Sequence, residues 1–290
     1  MLWRALRHVE EGFYIDVGAW DPTRDSVTRA FYDQGWRGIN LEPAEACFER
    51  LVSARHRDVN LRLAVGSTPG QRTFYDVSGT GLSTLDRRLA NQYEGLGHTV
   101  RPYPVRVVRL SDICAEFVDG AIHFLKIDAE GAEKDVLQGM DLARFRPWII
   151  VVEATVPNTQ TNAYEAWEWI LLDGHYDFVY FDGLNRFYVA REQGDLKRCF
   201  DSPPNSFDPF IKADHAEALA TADRRAQALQ LHLSEAKAQL AEIEAQLDAV
   251  CQSHSWKITA PLRRIMVGVR RVAHASTTPL TWIGVPRRSA

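Results

Sequence analysis

Residues 13–22 read FYIDVGAWDP, and residues 38–43 read GINLEP. Each segment is a short apolar run that leads to an acid, Asp16 in the first and Glu42 in the second. Two such runs about 25 residues apart are typical of buried parallel strands joined by a helix. The carboxyl ends of parallel strands meet at one edge of the sheet, so we expect both acids to flank a ligand there. An acid at the tip of the second strand is typical of a residue that binds the two ribose hydroxyls of a nucleoside.

The turn after the first strand indicates which kind of nucleoside. Gly18 is followed by Ala-Trp-Asp-Pro, so the GxGxxG spacing of a dinucleotide site is missing. Without that spacing, and the helix N-terminus that follows it, a pyrophosphate has no evident cradle. A nucleoside without phosphate, such as S-adenosylmethionine, suits these residues better.

Charge is distributed unevenly along the 290 residues. The whole chain carries 34 basic and 38 acidic residues, and residues 254–290 contain seven of the basic ones and no acid. The remainder therefore has 34 − 7 = 27 basic against 38 acidic residues, a balance of −11. We expect the basic tail to meet an anionic partner, such as a membrane surface. An acidic body without a basic groove argues against nucleic acid as a substrate.

The cysteines and the apolar runs indicate the compartment. Four cysteines are scattered without CxxC or paired spacing, which favours a reduced, cytoplasmic protein. No apolar run approaches the roughly 18–20 residues of a membrane span. The first twelve residues have too short an apolar stretch for a secretory signal. We therefore expect a cytoplasmic protein, with peripheral contact at the inner membrane face through residues 254–290.

Apolar runs alternate with amphipathic stretches through the first 200 residues, which predicts an α/β fold with a parallel sheet. We expect helices over residues 28–34, 45–54, 132–140 and 163–172, with strands over residues 14–17, 38–41, 61–65, 123–127 and 148–153. Two β-rich runs, 71–77 and 105–109, form an insertion around a loop over residues 79–85. Residues 178–181 and 187–190 read as a hairpin. The whole predicts a Rossmann-like, seven-stranded, mostly parallel sheet with a C-terminal antiparallel hairpin.

A different pattern follows residue 200, and it predicts three further segments: a linker over 201–213, a coiled coil over 214–253 and a basic amphipathic tail over 254–290. Ten apolar residues occupy the a and d positions of five heptads, an arrangement typical of a coiled coil. They are Leu219, Ala222, Ala226, Leu229, Leu233, Ala236, Leu240, Ile243, Leu247 and Val250. Self-association is the favoured interpretation, and a single helix packed on the body is the alternative. In the tail, apolar residues interleave with arginines, as in a membrane-surface helix or a docked helix with a basic outer face.

Acidic residues are densest after the fourth predicted strand, where residues 125–133 read LKIDAEGAE. Lys126 and Asp128 share one face of the strand because side chains alternate with a period of two. Asp128 ends that strand at the expected ligand edge. In a reaction at a hydroxyl group we expect it to act as the general base that removes the hydroxyl proton, with Lys126 adjusting its pKa. Glu153, at the end of the fifth strand, is a second candidate. Glu133 is expected mainly to favour the positive end of the next helix.

A divalent cation is the alternative use of the same acids, since Mg²⁺ prefers oxygen ligands such as those of Asp128, Glu130 and Glu153. No dense carboxylate motif demands a metal, so the sequence favours a site without one.

The segments FYIDVGAWDP, GINLEP, LAVG, GLSTL, VRLSDI and FLKIDAEGAE occur in this order between residues 13 and 133. Together they resemble the FkbM-type family of S-adenosylmethionine-dependent methyltransferases over roughly residues 13–190. The resemblance implies a class I methyltransferase fold and O-methylation of hydroxyl groups on sugars or natural products. A shorter segment, SWKITAPLRR at residues 255–264, is similar to C-terminal segments of enzymes of bacterial surface polysaccharide synthesis.

The resemblance also implies roles for individual residues. Asp16, Gly18 and Ala19 would lie along the methionine part of the cofactor, and Glu42 would hold the ribose. Ala64, Val65 and Ser67 would line the adenine, and Asp128 and Glu130 would face the reaction centre. This chain departs from the family in the first turn, where Trp20 and Pro22 replace the usual residues.

Two other functions stay open on the sequence. One is a nicotinamide-dependent oxidoreductase, which the missing GxGxxG spacing disfavours. The other is a non-catalytic scaffold that recruits partners to a membrane through its coiled coil and tail and keeps a degenerate nucleoside site. The sequence does not indicate which acceptor a methyltransferase of this kind would use.

Overall fold

The computed structural model describes residues 1–208 and 213–266. The chain divides into two compact units, Met1–Phe210 and Ile211–Ala290. No helix in the described ranges combines the length and the apolar character needed to cross a membrane.

Ten strands form two sheets in the first unit. The strands are β1 Phe13–Val17, β2 Arg37–Leu41, β3 Val59–Leu61, β4 Ala64–Val65, β5 Gly70–Val77, β6 Val100–Val108, β7 Phe124–Ile127, β8 Ile149–Glu153, β9 Tyr176–Phe181 and β10 Asn185–Ala190. The larger sheet has seven strands in the order β3-β2-β1-β7-β8-β10-β9, and the smaller has three in the order β4-β6-β5. From β3 to β8 all neighbours in the larger sheet are parallel, whereas β10 is antiparallel to both β8 and β9. The prediction of a Rossmann-like, mostly parallel sheet that ends in an antiparallel hairpin is confirmed.

The strand predicted over residues 61–65 is wrong, because the chain turns in the middle of it. Arg62 is exposed, and the amide of Leu63 donates to the carbonyl of Leu61 at 3.2 Å across it. The residues before this turn pair with β2 in the larger sheet, and those after it pair with β6 in the smaller sheet. One apolar run thus supplies two sheets.

Seven α-helices and two 3₁₀ segments accompany the strands in the described part of the first unit. The helices are α1 Leu2–Leu6, α2 Arg29–Asp33, α3 Glu45–Ala54, α4 Arg87–Gly95, α5 Leu110–Phe117, α6 Glu133–Gln138 and α7 Glu168–Asp173, and the 3₁₀ segments are Tyr164–Ala166 and Arg191–Phe200. The helix predicted over residues 163–172 therefore begins as a separate 3₁₀ turn. Helices α1, α4 and α5 have no counterpart in the sequence prediction.

Alternating residues of the central strands pack on opposite faces of the larger sheet. Ile15 and Leu125 belong to one apolar cluster, and their neighbours Tyr14 and Phe124 belong to another. This alternation is the period of two that a strand buried on both faces requires. Asp16 and Lys126 follow with the same parity as Tyr14 and Phe124, at the carboxyl ends of β1 and β7.

The second unit contains α8 Ala213–Gln252 and α9 His254–Ile258. The Ser253 hydroxyl caps α9 by accepting from the amide of Trp256 at 3.2 Å. The heptad leucines of α8 are exposed to between 49% at Leu219 and 68% at Leu229. A continuous helix is what the heptad pattern requires, and its pairing into a coiled coil stays a prediction. Of the predicted tail, residues 267–290 lie outside the described residues, as do residues 209–212 of the predicted linker.

Candidate active site

Lys126 joins the tips of the two central strands. Its Nζ lies 3.4 Å from Asp16 Oδ1 and 3.3 Å from Asp128 Oδ2, and it donates to the carbonyl of Gly18 at 3.2 Å. Asp16 and Lys126 are register neighbours on β1 and β7, so the strand pairing itself brings the two charges together. With three acceptors around it, the ammonium group holds the two strand ends in place.

Burial affects each charge in this group. It opposes the charged form of Lys126, but the neighbouring Asp128 and Asp16 outweigh it and raise the pKa of the ammonium above its usual value. Burial likewise raises the pKa of Asp16, against the opposing effects of Lys126 and of Thr28, whose hydroxyl donates to Asp16 Oδ2 at 3.0 Å. Lys126 is thus a fixed cation.

Gly18 permits the close approach of the two turns that follow β1 and β7. Its φ is +78°, and a Cβ at this position would lie 1.8 Å from the carbonyl oxygen of Asp128. No side chain fits that space, so the glycine is required by backbone contact as well as by its conformation.

Glu42 lies at the tip of β2, next to the turn that follows β1. Its two carboxylate oxygens accept from the amides of Trp20 and Ala44, both at 2.8 Å. Burial raises the pKa of this carboxyl to about 7, although the two amides and Lys126 favour its charged form. The contact with Trp20 fixes the turn in a left-handed conformation, with a φ of 46° at Trp20.

A cavity of about 950 Å³, its open mouth included, lies along these strand tips. Its lining contains five acids and one base: Asp16, Asp25, Glu42, Asp128, Glu130 and Lys126. Gly18, Ala19, Ala64 and Val65, which the resemblance assigns to the cofactor, also line it. Trp20 forms part of the wall, and the guanidinium of Arg24 lies 4.5 Å from the centre of an indole ring of Trp20.

A family model described as the methyltransferase FkbM domain matches residues 16–187, more than half of the chain. The chain belongs to the FkbM methyltransferase family. It is therefore an enzyme, a methyltransferase that depends on S-adenosylmethionine, as the resemblance predicts. A comparison with curated proteins finds no match.

Ser67, predicted to line the adenine, lies elsewhere in the methyltransferase. Its hydroxyl and its amide both donate to Asp135 Oδ1, at 2.5 and 3.2 Å, and it is not among the residues that line the cavity. Asp135 also pairs with Arg72 at 2.9 Å. Ser67 therefore connects the small sheet to α6.

Three acids converge where β7 and β8 end. Oxygens of Asp128, Glu130 and Glu153 all lie within 4.8 Å of one another. Burial and the charges of Asp128 and Glu133 raise the pKa of Glu130 to about 8. Burial, with the charges of Asp128 and Glu130, raises the pKa of Glu153 to about 9. Glu153 is not among the residues that line the cavity.

Glu133 holds the turn that carries Glu130. Its Oε1 accepts from the amides of Ala129 and Gly131, both at 3.0 Å, at the start of α6. Burial raises its pKa against these hydrogen bonds. The turn places Glu130 at a φ of 49°, a conformation that costs a non-glycine residue free energy and is often found at functional sites.

Other residues around the site were missed by the sequence prediction. The hydroxyl of Thr84 donates to the carbonyl of Glu130 at 2.8 Å and so fixes the loop over residues 79–85 against the acidic turn. Tyr93 on α4 is buried, and its hydroxyl has no hydrogen-bond partner among the described residues. Burial, with the charges of Glu130 and Glu153, raises its pKa. Thr84 belongs to the GLSTL segment at residues 81–85, but its contact with the acidic turn was not predicted. Tyr93 lies on a helix that the sequence did not predict.

Proposed function

We propose that the cavity binds S-adenosylmethionine and that the protein O-methylates a hydroxyl of a saccharide or related natural product, in the synthesis of a surface polysaccharide. One observation carries the proposal. Five of the six charged residues that line the cavity are acids, placed around the tips of β1, β2 and β7. Such a wall suits a cationic sulfonium and repels the pyrophosphate of a nicotinamide dinucleotide.

The two ends of the cofactor match different parts of the wall. Glu42 is nine-tenths buried and immobilised by two amides, which leaves a second lone pair on each oxygen to accept from a ribose hydroxyl. Within the part of the chain that the structure describes, the buried Asp16 Oδ1 has no hydrogen-bond partner and faces Lys126 as an ion pair at 3.4 Å, so it has capacity for an ammonium or amide donor. The apolar Ala64, Val65 and Phe74 form a surface for the adenine.

The chain's own groups would position the acceptor and remove its proton. The cofactor supplies an electrophilic methyl group, which is transferred by in-line displacement. Asp128 lies at the cavity wall with its carboxylate held by Lys126, in a place where it would accept the proton of a hydroxyl that approaches the methyl group. Alignment and exclusion of water by the loop over residues 79–85 would supply much of the remaining rate effect.

Calorimetry with three ligands tests the cofactor. We expect the full chain to bind S-adenosylmethionine and S-adenosylhomocysteine and not NAD. Binding of NAD would instead favour an oxidoreductase, and no binding at all would favour a scaffold with a degenerate site.

Transfer of a labelled methyl group tests the acceptor class. The protein is incubated with S-adenosylmethionine that carries a tritiated methyl group and with a panel of nucleotide sugars and oligosaccharides. We expect label in a product that survives mild alkali, because a methyl ether resists it whereas a methyl ester does not. Label that alkali releases would show that the acceptor is a carboxylate and would refute O-methylation of a hydroxyl.

The second unit supports a proposal about assembly. The a and d residues of α8 form a continuous apolar seam, and a helix of 40 residues extends about 60 Å. Exposed leucines along such a seam favour pairing with the same helix of another copy. We therefore propose that residues 214–253 form a homo-oligomer.

The start of the basic tail supports peripheral contact with an anionic membrane. Arg263 stacks on Trp256 at 3.7 Å, and Leu262, Ile265 and Met266 are each more than 60% exposed. Aromatic and aliphatic residues beside arginines suit a lipid headgroup layer. Sedimentation with vesicles of anionic or neutral lipid tests this contact, since only the anionic vesicles should retain the protein.

A further inference from the structure

Of the three acids at the ends of β7 and β8, only Asp128 has a cationic partner among the described residues. Asp128, Glu130 and Glu153 come from three different places in the chain, a strand end, a strained turn and the neighbouring strand end, and their oxygens lie within 4.8 Å of one another. Like charges at such distances repel, so placing three acids together costs free energy that some other interaction must offset.

Glu153 shows most directly that a partner is missing from the chain. The residue is 8% exposed, and its Oε2 is buried without a hydrogen-bond partner among the described residues. Glu130 Oε2 is also buried without a hydrogen-bond partner among the described residues. A buried carboxylate oxygen without a partner is costly, and native structures normally supply an ion, a water or a donor for it.

The nearby cation is already engaged. Lys126 contacts Asp128 Oδ2 but also contacts Asp16 and Gly18, and Glu130 and Glu153 are not among its ion-pair partners. Its single charge is shared between Asp128 and Asp16, and it forms no ion pair with the other two acids.

The spacing suits a hard divalent cation. Oxygens on opposite sides of Ca²⁺ are separated by about 4.6–5.2 Å and those on opposite sides of Mg²⁺ by about 4.0–4.2 Å, twice the usual metal–oxygen distance. The oxygens of the three acids lie no more than 4.8 Å apart. That upper limit falls within the range for Ca²⁺ and lies less than 1 Å above the range for Mg²⁺.

We propose that Asp128, Glu130 and Glu153 bind one divalent cation of the Mg²⁺, Mn²⁺ or Ca²⁺ type. The sequence favoured a site without metal because the three acids are not dense along the chain. They become dense only when β7 and β8 lie side by side.

A cation at this place would lie beside Asp128 at the cavity wall. There it would orient an acceptor hydroxyl and lower its pKa, which would assist the proposed methyl transfer. This role rests on the proposed function, whereas binding of the cation does not.

Titration of the full chain with Mn²⁺, followed by electron paramagnetic resonance of the free ion, tests the site. The protein is first dialysed against a chelator and then against buffer, and no cofactor or acceptor is added. We expect one equivalent of Mn²⁺ to bind and an excess of Mg²⁺ or Ca²⁺ to displace it. Glu153→Gln and Glu130→Gln should each weaken binding at least tenfold.

Glu45→Gln is the matched control, because Glu45 is an exposed acid on α3 that pairs with Arg62 and lies outside the cluster. It should bind Mn²⁺ like the unmodified protein. Thermal unfolding followed by circular dichroism establishes that each variant is folded, without reference to the cofactor.

Two results would overturn the proposal. One is no bound Mn²⁺ at about 1 mM, the weak end of protein Ca²⁺ sites. The other is unchanged binding in both Glu153→Gln and Glu130→Gln. Calorimetry with S-adenosylhomocysteine on the same samples separates these outcomes from a failure of the proposed function, since either ligand can bind without the other.

Discussion

The cavity edge has two halves, the tips of β1 and β2 and the ends of β7 and β8, and their buried acids differ in the partners that the chain supplies. At β1 and β2 the chain supplies a hydrogen bond from Thr28 to Asp16 Oδ2 and two backbone amides for Glu42. Asp16 Oδ1 has no hydrogen-bond donor among the described residues, but it forms an ion pair with Lys126. At β7 and β8 the chain leaves Glu130 Oε2 and Glu153 Oε2 without partners in the described structure. A carboxylate whose position is already fixed by hydrogen bonds or an ion pair is pre-organised to bind the same ligand at every turnover. A buried carboxylate oxygen without such a partner requires a water, an ion or a ligand group to satisfy it.

The difference corresponds to the two ligands of a methyl transfer. The β1–β2 half would bind the cofactor, which every turnover brings in the same form. The β7–β8 half would meet the acceptor and, on our proposal, a cation. The following predictions test whether the halves are as separate as their geometry indicates.

The largest effect is expected at Gly18, where the two halves touch. Gly18→Ala places a methyl group 1.8 Å from the Asp128 carbonyl, so the turns must separate. We expect a loss of about 2–5 kcal/mol in the free energy of unfolding, from overpacking and from the left-handed backbone together, and no detectable binding of S-adenosylhomocysteine. Urea denaturation and calorimetry measure the two effects.

Gly79→Ala is the control for that substitution. Gly79 has nearly the same φ, +79°, but a Cβ there meets nothing within 4 Å. It should therefore cost only the conformational part, about 1–2 kcal/mol. Equal losses in the two variants would show that contact between the turns is not what requires Gly18.

The next prediction compares the binding of two ligands, S-adenosylhomocysteine and Mn²⁺, by two variants. Glu42→Ala should weaken binding of S-adenosylhomocysteine by about 1–3 kcal/mol, because the ribose loses a charged acceptor. It should leave Mn²⁺ binding unchanged, since Glu42 is not part of the acidic cluster. Glu153→Gln should show the reverse, with Mn²⁺ binding lost and the affinity for S-adenosylhomocysteine kept within about twofold, a change below 0.5 kcal/mol. Loss of both ligands in either variant would mean that the halves form one coupled site.

A smaller effect is expected from pH. The pKa of Glu42 is raised to about 7 in the folded protein, above its ordinary value of 4.5, so its neutral form is favoured by folding. Its contribution to stability is complete below pH 4.5 and is lost as the pH rises through 7. Acceptance of both ribose hydroxyls needs the charged form, so the affinity for S-adenosylhomocysteine should rise several-fold between pH 6 and 8. Calorimetry at several pH values should show this rise in the unmodified protein and not in Glu42→Gln.

The sequence predicted the β1–β2 half more completely than the β7–β8 half, and the reason is physical. Asp16 and Glu42 lie at the carboxyl ends of apolar runs, and the ends of neighbouring parallel strands share an edge, so their proximity follows from pattern alone. The contacts of Glu133 and Ser67 depend on which way a turn bends. The turn at Arg62 is a local change of backbone direction within an apolar run, and the spacing of apolar residues does not indicate such a change. Tyr93 reaches the acids by tertiary packing of α4, which no pattern in the sequence indicates.

The smallest effect on the site is expected from the second unit. Deletion of everything after Phe210 should leave the affinity for S-adenosylhomocysteine unchanged, because every residue that lines the cavity precedes residue 133. The cut belongs there and not at the predicted boundary of residue 200, because Arg4 donates to Asp208 at 2.8 Å and to the carbonyl of Cys199 at 2.9 Å. Light scattering should show the mass falling from a multiple of 32.9 kDa to that of a single shortened chain.

A pair of leucines in the full chain makes the same prediction more specific. Leu233 occupies a heptad core position and is 57% exposed, whereas Leu231 lies off the seam and is 59% exposed. Their equal exposure in the single chain means that general loss of apolar surface would affect both alike. Leu233→Glu should therefore dissociate the oligomer and Leu231→Glu should not, because pairing would bury a charge at position 233 and leave one at position 231 in solvent. If both variants keep the mass of the unmodified protein, the heptads of α8 do not mediate assembly, and the seam must have another partner.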